Sequence, residues 1–543
     1  MSNPFLNASM EENTLDANDN NPLLKAEDPA KTAKEDGAKI ANEFEYVESE
    51  AVEGENQKPD DAVIEESIKD TTTDINNIVK ETDKTTDTLT AVASVAQEMY
   101  AVIQERGKVT SSEMFVIQSH MASLESHCDW VKDADHSMPS LEDFKTPGLQ
   151  YTTSQVAMES VVGAVFRGLE RLGSMIGKLV ELGIGASRKY LNSADSKLKQ
   201  ASALMTALDG SHREAGLKEV SGSFAKALVV DGKAPDPTTI LKTAAYTNAI
   251  AKEFLSGSIY QDAEKFTRLA ADTLLDNTNL SSTKQPSGVM TSLCIVIGIA
   301  AASSGSILMV LPALKLISDA AKSQRTFKID PAVTPQIFKM FPNIAKVNFS
   351  DPEIDDVFDC KRSLPLFDNK ALYAYQLKST LDPRNVHGGE FPSMHFNNGD
   401  TTKGDGFKLQ ALTSSQQKDV LTSAIAMLEY AKAYYGEYGT RVKSLYRINS
   451  EAIAKSKSLQ KQGDNVGRSW AGALAASTMT AVYRCYWRGL LQDQSDFAAH
   501  LVKTAGNLIA LVEASSAVAK ANVAGNASQE SLPVVEEPSN PFM

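Results

Sequence analysis

The residues with the most evident capacity for chemistry are two histidines and a glutamate on one short segment. His387, Glu390 and His395 lie within nine residues of one another, and Asp400 and Asp405 follow. Imidazole nitrogens and carboxylate oxygens are ligands of zinc and other divalent metals, so this set has the right chemistry for a metal site. The surrounding sequence is rich in Gly, Pro and Asn, which is typical of a surface loop. We therefore expect a loop here, and the sequence predicts neither a metal nor a cofactor.

The common catalytic motifs are missing from the rest of the sequence. It has no GxxxxGK[ST] phosphate-binding loop, no HExxH zinc motif and no GxSxG nucleophile motif that opens a helix after a strand. His120, His127 and His136 lie on a segment with helical spacing and are expected to be ordinary solvated or partly buried side chains. The four cysteines are far apart in the sequence, as is typical of isolated thiols in a reducing compartment. These observations predict a protein that is not an enzyme.

Both ends of the chain carry the tetrapeptide Ser-Asn-Pro-Phe. The residues concerned are Asn3, Pro4 and Phe5 after Ser2, and Asn540, Pro541 and Phe542 after Ser539. Ser and Asn before Pro favour a local turn, and an adjacent Phe is suited to bind a hydrophobic pocket on a partner. The probability that a given tetrapeptide recurs by accident is well below about one in a hundred. We predict that the tetrapeptide is a recognition element. Because eukaryotic endocytic adaptor domains bind Asn-Pro-Phe, a cellular adaptor is one alternative function.

Negative charge is concentrated at one end of the 543-residue chain. Residues 1–70 contain 19 Asp and Glu residues against 6 Lys, which accounts for 13 of the 15 net negative charges. This arm has few large apolar side chains, so we predict that it is disordered. The nearly neutral body lacks the concentrated positive charge needed for sequence-specific DNA binding, whereas non-specific contact with packaged DNA stays open. The amino terminus also lacks the basic start and apolar run of a secretory signal.

The spacing of apolar residues predicts a mainly α fold with disordered termini. We expect a helical arm or small subdomain at 71–150, an α-helical domain at 151–325 and a second α-helical domain at 409–523. Between them, the many prolines of 326–408 and short extended runs such as Leu372–Leu377 and Ala345–Phe349 predict an irregular, partly β insertion. The polar residues 524–543 are expected to be disordered. Individual helices are predicted at 195–208, 213–229, 237–256, 260–276, 409–434, 438–461, 466–491 and 494–522.

The strongest helical pattern runs from 154 to 192, with an apolar stripe opposite Arg167, Glu170 and Arg171. Glycines recur on it every four or five residues, which allows a neighbouring backbone to approach closely at a cost of about 1 kcal/mol each relative to alanine. The polar face carries both signs of charge, so we expect this helix to pack on the core. A helix lying on a membrane surface is the alternative. The glycines are Gly163, Gly168, Gly173, Gly177, Gly183 and Gly185.

A second apolar segment has no charged residue between 285 and 314. Its centre, 293–311, is long enough to span a bilayer. Ser303–Ser306 in the middle and Pro312 directly after it favour a hairpin or central helix buried within the protein. A membrane-inserting segment is the alternative.

The layout of the chain resembles that of the internal head proteins of phiKZ-like giant bacteriophages. The shared features are an acidic amino-terminal arm, a glycine-bearing amphipathic helix near 160–185 and a long α-rich body without catalytic motifs. This resemblance implies that a prohead protease removes an amino-terminal propeptide by cutting after Glu in a small-residue–x–Glu pattern. A protease needs an accessible, extended chain, which favours sites before about residue 100. The candidate processing sites on this basis are Glu43, Glu53 and Glu98.

The resemblance also implies a function and a location. It indicates a non-enzymatic structural protein of the capsid interior that is made in the host cytoplasm. The expected partners are other capsid and inner-head proteins, the prohead protease and, without sequence specificity, packaged DNA. Ejection with the DNA is a further expectation, with transient membrane contact through 289–311 or 160–185.

Overall fold

The computed structural model describes most of the chain between Asp61 and Glu530. The acidic residues 1–60, the apolar segment 293–311 and the last residues, 531–543, lie outside the described part. Helices dominate what is described, which confirms the predicted mainly α fold. The described ranges are 61–126, 128–136, 138–146, 148–209, 218–256, 327–328, 358–377, 380–381, 393–398, 408–462 and 483–530.

Helix α1 (Asp61–Arg106) begins ten residues before the predicted boundary of the acidic arm, so residues 61–70 are helical and the predicted disorder is wrong there. Two features of the sequence favour a helix in this stretch. Ile64 and Ile68 are four residues apart, which is a helical interval, and Asp61 places a negative charge in the first turn. The high density of acidic residues concealed this short apolar pair.

The buried face of α1 is unusually polar. Leu89 and Val92 are fully buried, and so is Thr82. The Thr82 hydroxyl donates a hydrogen bond to the carbonyl oxygen of Ile78, four residues earlier, over 2.7 Å. Because the hydroxyl is satisfied within the helix, its burial does not leave an unpaired polar group.

Helices α2 (Ser111–Glu125) and α3 (Asp129–His136) follow α1 after short turns. The start of α2 is fixed by a reciprocal capping box. The Thr110 hydroxyl accepts from the Glu113 amide at 3.3 Å, and the Glu113 carboxylate accepts from the Thr110 amide at 2.9 Å. A 3₁₀ turn at Asp143–Lys145 then leads towards the next helix.

Helix α4 (Gln150–Asp209) contains 60 residues and is therefore about 90 Å long. It confirms the helix predicted at 154–192 and joins it without a break to the one predicted at 195–208. The apolar stripe is buried as predicted, since each of the following residues is at most 8% exposed: Val161, Val162, Val165, Phe166, Leu169, Leu172, Met175, Ile176, Leu179 and Val180.

The segment after α4 is less helical than the periodicity predicts. In place of a helix at 213–229, the described part has strand β1 (Glu219–Val220) and the short helix α5 (Ser223–Ala227). Gly222 separates the two, and β1 gains its backbone hydrogen bonds from a distant strand, β7 (Leu409–Gln410).

Helix α6 (Pro237–Phe254) confirms the helix predicted at 237–256. The Asp236 carboxylate accepts from the Thr239 amide at 2.7 Å, and Pro237 occupies the first helical position. Both features are common at helix starts because they satisfy or remove unpaired backbone donors. The helix predicted at 260–276 lies outside the described residues.

The partly β character of the predicted insertion is confirmed by an antiparallel sheet of three strands, with β4 in the centre. Strand β4 contains the predicted extended run Leu372–Leu377, whereas Ala345–Phe349 lies outside the described residues. Two further strands form a short antiparallel pair. The strands are β2 (Phe327–Lys328), β3 (Phe358–Arg362), β4 (Lys370–Leu377), β5 (Thr380–Leu381) and β6 (Ser393–Asn398), and β2 pairs with β5.

Helix α7 (Ser414–Gln462) is continuous, so the predicted break between 434 and 438 is wrong. Gly436 and Gly439, at and just after this point, lower helix propensity by about 1 kcal/mol each. Tyr434 and Tyr438 beside them are at most 4% exposed. Burial of such large side chains outweighs the cost of the two glycines.

A π-helix (Tyr483–Gln492) runs directly into the last helix, α8 (Asp493–Glu530). Helix α8 includes the helix predicted at 494–522 and continues beyond it, so residues 524–530 are helical and were wrongly assigned to the disordered tail. Ala524 and Ala527 are among the residues of this extension, and alanine favours helix strongly.

Helix α4 is the common partner of the other long helices in the unit that spans Gln57–Met543. Helix α1 runs antiparallel to it, because Arg171 of α4 pairs with Glu81 at 2.7 Å while Lys189 binds the earlier Thr71 at 2.7 Å. Helix α7 packs along another side of α4, and α8 lies beside its second half. The body is therefore organised around one central rod.

Candidate functional site

Three of the six glycines of α4 lie at points where side chains of its neighbours come very close. A methyl group at Gly168 would meet the Trp130 ring of α3 at 2.8 Å, and one at Gly183 would meet the Tyr438 hydroxyl of α7 at 2.7 Å. At Gly173 the nearest atom is Cδ1 of Ile453, also at 2.8 Å. All three distances are shorter than a normal carbon contact. These three glycines therefore serve close packing, as predicted, whereas a methyl group at Gly185 would meet no atom within 4 Å.

A group of tyrosines joins α4 to α7 and α8. The rings of Tyr190 and Tyr435 are stacked, with centroids 4.9 Å apart and planes 4° from parallel. The Tyr435 hydroxyl donates to the Ser495 carbonyl at 3.1 Å, and that of Tyr434 donates to the Leu491 carbonyl at 3.2 Å. Burial raises the pKa of both Tyr434 and Tyr435 well above the usual value. These phenols stay neutral and act as donors that hold the helices together.

A buried polar network holds the carboxyl end of α6. Arg441 of α7 is buried, with its side chain 3% exposed. Its guanidinium donates to the Leu255 carbonyl and to the side-chain oxygen of Gln494, each at 3.4 Å. Gln494 in turn donates to the Phe254 carbonyl at 2.6 Å. A positive charge and two donors therefore meet the unpaired carbonyls at the end of α6, where the helix dipole favours a cation.

The same region of α8 also holds strand β6. The carboxylate of Asp493 accepts a hydrogen bond from the Phe396 amide at 2.9 Å. The ring of Phe396 then packs against Phe497 and His500, with centroids 5.2 Å away in both cases. The first two turns of α8 thus fasten the sheet to the helical body.

His500 and Thr504 are close enough to suggest a general base beside a nucleophile, since Nε2 of His500 and Oγ1 of Thr504 are 3.3 Å apart. His500 is 6% exposed and Thr504 is 2% exposed, so a substrate has no access to either. Burial is the main cause that lowers the pKa of His500 to about 3, and the charges of Lys370 and Lys503 lower it further. A neutral, enclosed imidazole of this kind supports packing and does not carry out catalysis.

Sequence reasoning missed this network, although α8 gave one signal. Gln494, His500 and Thr504 occupy positions that share the apolar stripe of Phe497, Leu501 and Leu508. Polar residues on an apolar stripe indicate buried groups that need hydrogen-bond partners. The identity of those partners depends on α6 and β6, which are distant in the sequence.

The predicted site residues are only partly within the described residues. Glu98 lies inside α1 and is exposed, but Ala96 and Met99 beside it are buried. It is therefore not on the extended, accessible chain that was expected of a processing site. Glu43 and Glu53 and both tetrapeptides, with Asn3, Pro4, Phe5, Asn540, Pro541 and Phe542, lie outside the described part.

The histidines show no convergence among the residues described. His395 lies in β6, where its backbone is paired with Tyr373 of β4, whereas His387 and Glu390 lie outside the described ranges. Within those ranges no group of three metal-ligating side chains occurs. His120 is exposed on α2, as expected of an ordinary surface histidine.

One described helix is apolar enough to raise the question of membrane insertion. Residues Asp493–Lys520 of α8 have the length and mean hydropathy of a membrane-spanning helix, but half of the window is buried inside the protein. A buried core helix of this composition passes the same test. The apolar segment 293–311, for which the sequence raised the same question, lies outside the described residues.

Six large apolar side chains are exposed in the described residues, between 43% and 65%. The residues just before α2 are joined to the start of α4, because Lys108 donates to the Gln150 side chain at 2.6 Å and the Val109 amide donates to the Ser154 hydroxyl at 2.9 Å. The six exposed residues are Phe115, Val116, Leu149, Tyr151, Val156 and Leu364.

Comparison with protein families relates part of the chain to a phage family. Residues 70–283 match the family described as phiKZ-like phage internal head proteins. Over these residues the match agrees with the family that the layout of the chain resembles. It extends from α1 through α6 and includes the whole of α4, but it leaves out the acidic residues before 70. Comparison with curated proteins and with solved structures gives no match.

The family gives the broad role of the chain. Internal head proteins are located inside the phage head, so the match supports a structural role in the head interior. The matched region packs against α7 and α8, which lie outside the match. The family region and the carboxyl-terminal helices therefore form one body.

Proposed function

We propose that this chain is a non-enzymatic structural protein of the head interior that matures by losing its acidic amino-terminal arm. The observation that carries the proposal is the position of the family match. It begins at residue 70, and the first 70 residues contain 13 of the 15 net negative charges. The arm and the family region therefore differ both in sequence relationship and in charge, as expected of a propeptide and a mature body.

The packing of α1 favours cleavage before the helix begins. Cutting after Glu98 would require part of α1 to unfold, and Leu89, Val92 and Ala96 would lose their buried positions against the body. Large apolar side chains such as Leu89 and Val92 each contribute on the order of 1 to 3 kcal/mol when buried. Cutting after Glu43 or Glu53 leaves α1 complete. Glu43 and Glu53 are therefore the preferred sites among the three.

Removal of the arm changes the electrostatics of the protein. Residues 1–53 contain 13 acidic residues and 4 Lys, so a cut after Glu53 would change the net charge from −15 to −6. DNA at high density carries a strong negative potential, which disfavours acidic neighbours. In the precursor the same charge would limit contact with DNA before packaging. The mature body is compatible with non-specific DNA contact.

The remaining parts of the proposal concern partners and fate. The partners are other capsid and inner-head proteins during assembly in the host cytoplasm, and the prohead protease during maturation. Ejection with the DNA would expose the protein to the host membrane, and the apolar segment 289–311 has the composition for transient insertion. The adaptor alternative rests on Asn-Pro-Phe alone, and the family match gives it no support.

Mass spectrometry of purified phage particles tests the maturation step. We expect peptides from residues 54–543 at full abundance and peptides from 1–43 to be depleted. A semi-specific search should find a new amino terminus at Phe44 or Gly54. Full retention of residues 1–50 in particles would overturn the propeptide proposal.

A pair of variants tests the choice of site. Glu43→Gln together with Glu53→Gln should leave the arm attached in particles, because the carboxylate that the protease reads is lost while side-chain size is kept. Glu98→Gln is the matched control and should be processed normally. Normal processing of the double variant, or retention of the arm in the control, would show that the assigned sites are incorrect.

A further inference from the structure

The segment that precedes α8 has an unusual helical form. Residues Tyr483–Gln492 form a π-helix, in which backbone hydrogen bonds join residue i to residue i+5. Helices of this type are rare in proteins and are mostly single turns, frequently at functional sites. This one has ten residues and continues without a break into α8, which is an ordinary α-helix. A contact that favours the π form over the α form is therefore expected here.

The buried side chains of the segment do not account for the π form. Tyr483, Trp487 and Leu491 lie four residues apart, and each is at most 1% exposed. Residues four apart also share one face of an α-helix. An α-helix over the same residues would therefore bury the same three side chains.

One carboxylate of α1 distinguishes the two forms. Oδ1 of Asp83 accepts a hydrogen bond from the Tyr483 hydroxyl at 3.0 Å, and Oδ2 lies 3.5 Å from Nε of Arg488. In an α-helix, with 3.6 residues per turn, Tyr483 and Arg488 would point about 140° apart. Hydrogen bonds from i to i+5 instead place positions five apart about one turn from each other, on the same face. The π form therefore directs both groups to the same carboxylate.

The tyrosine makes the stronger of the two contacts with Asp83. Burial raises the pKa of the Tyr483 hydroxyl, and the charge of Asp83 raises it further, so the phenol stays a donor. Hydrogen bonds to a charged acceptor are stronger than those between neutral groups. The side chains of Arg488 and Asp83 are 44% and 38% exposed, so solvent weakens their ion pair. Tyr483 is therefore expected to contribute most of the preference for the π form.

The start of α8 depends on the helical form of this segment. Asp493 follows it directly and accepts a hydrogen bond from the Phe396 amide of β6, and Gln494 donates to the Phe254 carbonyl at the end of α6. A change from the π form to the α form over 483–492 alters the rotation per residue and so turns Asp493 and Gln494 relative to the segment. The attachment of β6 and α6 is therefore coupled to the form of the segment.

We propose that the Asp83 carboxylate holds residues 483–492 in the π form, and that loss of this contact converts them to an α-helix and loosens the attachment of β6 to α8. The two forms bury the same three side chains and differ at Asp83, as expected of a two-state element. A movement of α1 is thereby transmitted to the start of the last helix. The proposal goes beyond the proposed function, because it does not depend on the removal of the arm.

Hydrogen exchange of the full chain, resolved to single amides by mass spectrometry with electron-transfer fragmentation, tests this coupling. The Phe396 amide reports the attachment of β6, because its acceptor is the Asp493 carboxylate. In Asp83→Ala we expect this amide to exchange at least about fivefold faster, while the amides of 488–492 stay protected within an α-helix. Glu81→Ala is the matched control, since its exposed ion pair joins α1 to α4, and it should leave Phe396 unchanged.

Two results would overturn the proposal. Unchanged exchange at Phe396 in Asp83→Ala would show that the carboxylate does not control the start of α8. Faster exchange throughout 488–492 would show that the segment melts and does not change its helical form.

A second variant removes only the hydroxyl that Asp83 binds. Tyr483→Phe keeps the buried ring, so it tests the contact without a change in charge or packing. Alone it should accelerate exchange at Phe396, and in the Asp83→Ala background it should have no further effect, because both substitutions remove the same hydrogen bond. Independent, additive effects of the two substitutions would contradict the proposal.

Discussion

Two glycine-to-alanine substitutions in α4 should have opposite effects on stability. Gly168 and Gly185 lie in the same helix, and alanine at either position raises helix propensity by about 1 kcal/mol. At Gly185 no atom lies within 4 Å of the added methyl group, whereas at Gly168 it would lie 2.8 Å from Trp130 and 2.9 Å from Leu89. We expect Gly185→Ala to raise the free energy of unfolding by about 0.5 to 1 kcal/mol.

Gly168→Ala should instead lower it. Leu89 is fully buried, and the Trp130 ring is rigid, so neither can move aside easily. Overpacking of this kind costs about 1 to 3 kcal/mol. Because the gain in helix propensity is common to both variants, the difference between their free energies of unfolding isolates the steric cost at Gly168. That difference should be about 1 to 3 kcal/mol.

Urea unfolding of the full chain measures the difference, with helix content followed by circular dichroism and the combined tryptophan fluorescence as a second probe. A third variant, Trp130→Leu, removes the ring. In that background Gly168→Ala should cost less, which a double-mutant cycle detects as coupling. Equal changes in stability for Gly168→Ala and Gly185→Ala would refute the close approach of α3 and α4.

The remaining predictions concern the polar network and the first helix cap. Arg441→Met should destabilise the protein by about 2 to 4 kcal/mol in urea unfolding, because carbonyls at the end of α6 lose a buried cation; Arg447→Met, whose ion pair with Glu451 is exposed, should change stability by less than about 0.5 kcal/mol. His500 has a lower pKa in the folded state than in the unfolded state, so its contribution to stability should fall as pH drops below 6.5 towards 3, by at most about 1.4 kcal/mol per pH unit. Burial raises the pKa of Asp496 to about 6, which has the opposite effect, so the difference in stability between the unchanged chain and His500→Leu isolates the histidine; a difference that does not vary with pH would contradict the assignment. Thr110→Ala should cost about 1 kcal/mol through loss of the capping box, and hydrogen exchange should locate the change at the start of α2.

The spacing of apolar residues predicted α4 well because the residues that repeat at helical intervals are the ones that the helix buries. Val161 through Val180 repeat at helical intervals, and the same residues are buried. The glycine spacing correctly predicted close packing at Gly168, Gly173 and Gly183, but not at Gly185. The identity of the neighbours did not follow, since Trp130 precedes α4 in the sequence and Tyr438 follows it by more than 200 residues.

The errors have physical causes of their own. Helix α1 begins early because Ile64 and Ile68 repeat at a helical interval. The small number of large apolar residues in the acidic arm as a whole obscured this helical spacing. Helix α7 does not break at Gly436 because the free energy gained by burying the neighbouring tyrosines exceeds the helix-propensity cost of the glycine. The exposure of Phe115 was not predictable, since it depends on which face of α2 meets the body.

The position of α4 in the chain has a consequence for how the protein is made. Its partner α1 precedes it and can cover one side as soon as α4 leaves the ribosome. Helix α7 ends only at Gln462, about 250 residues after α4, so at roughly 5 to 20 residues per second the other side waits on the order of 10 to 50 seconds for its partner. During that interval an apolar surface nearly as long as the helix, about 90 Å, faces the solvent. Synthesis of the protein in many copies would therefore place a heavy demand on host chaperones.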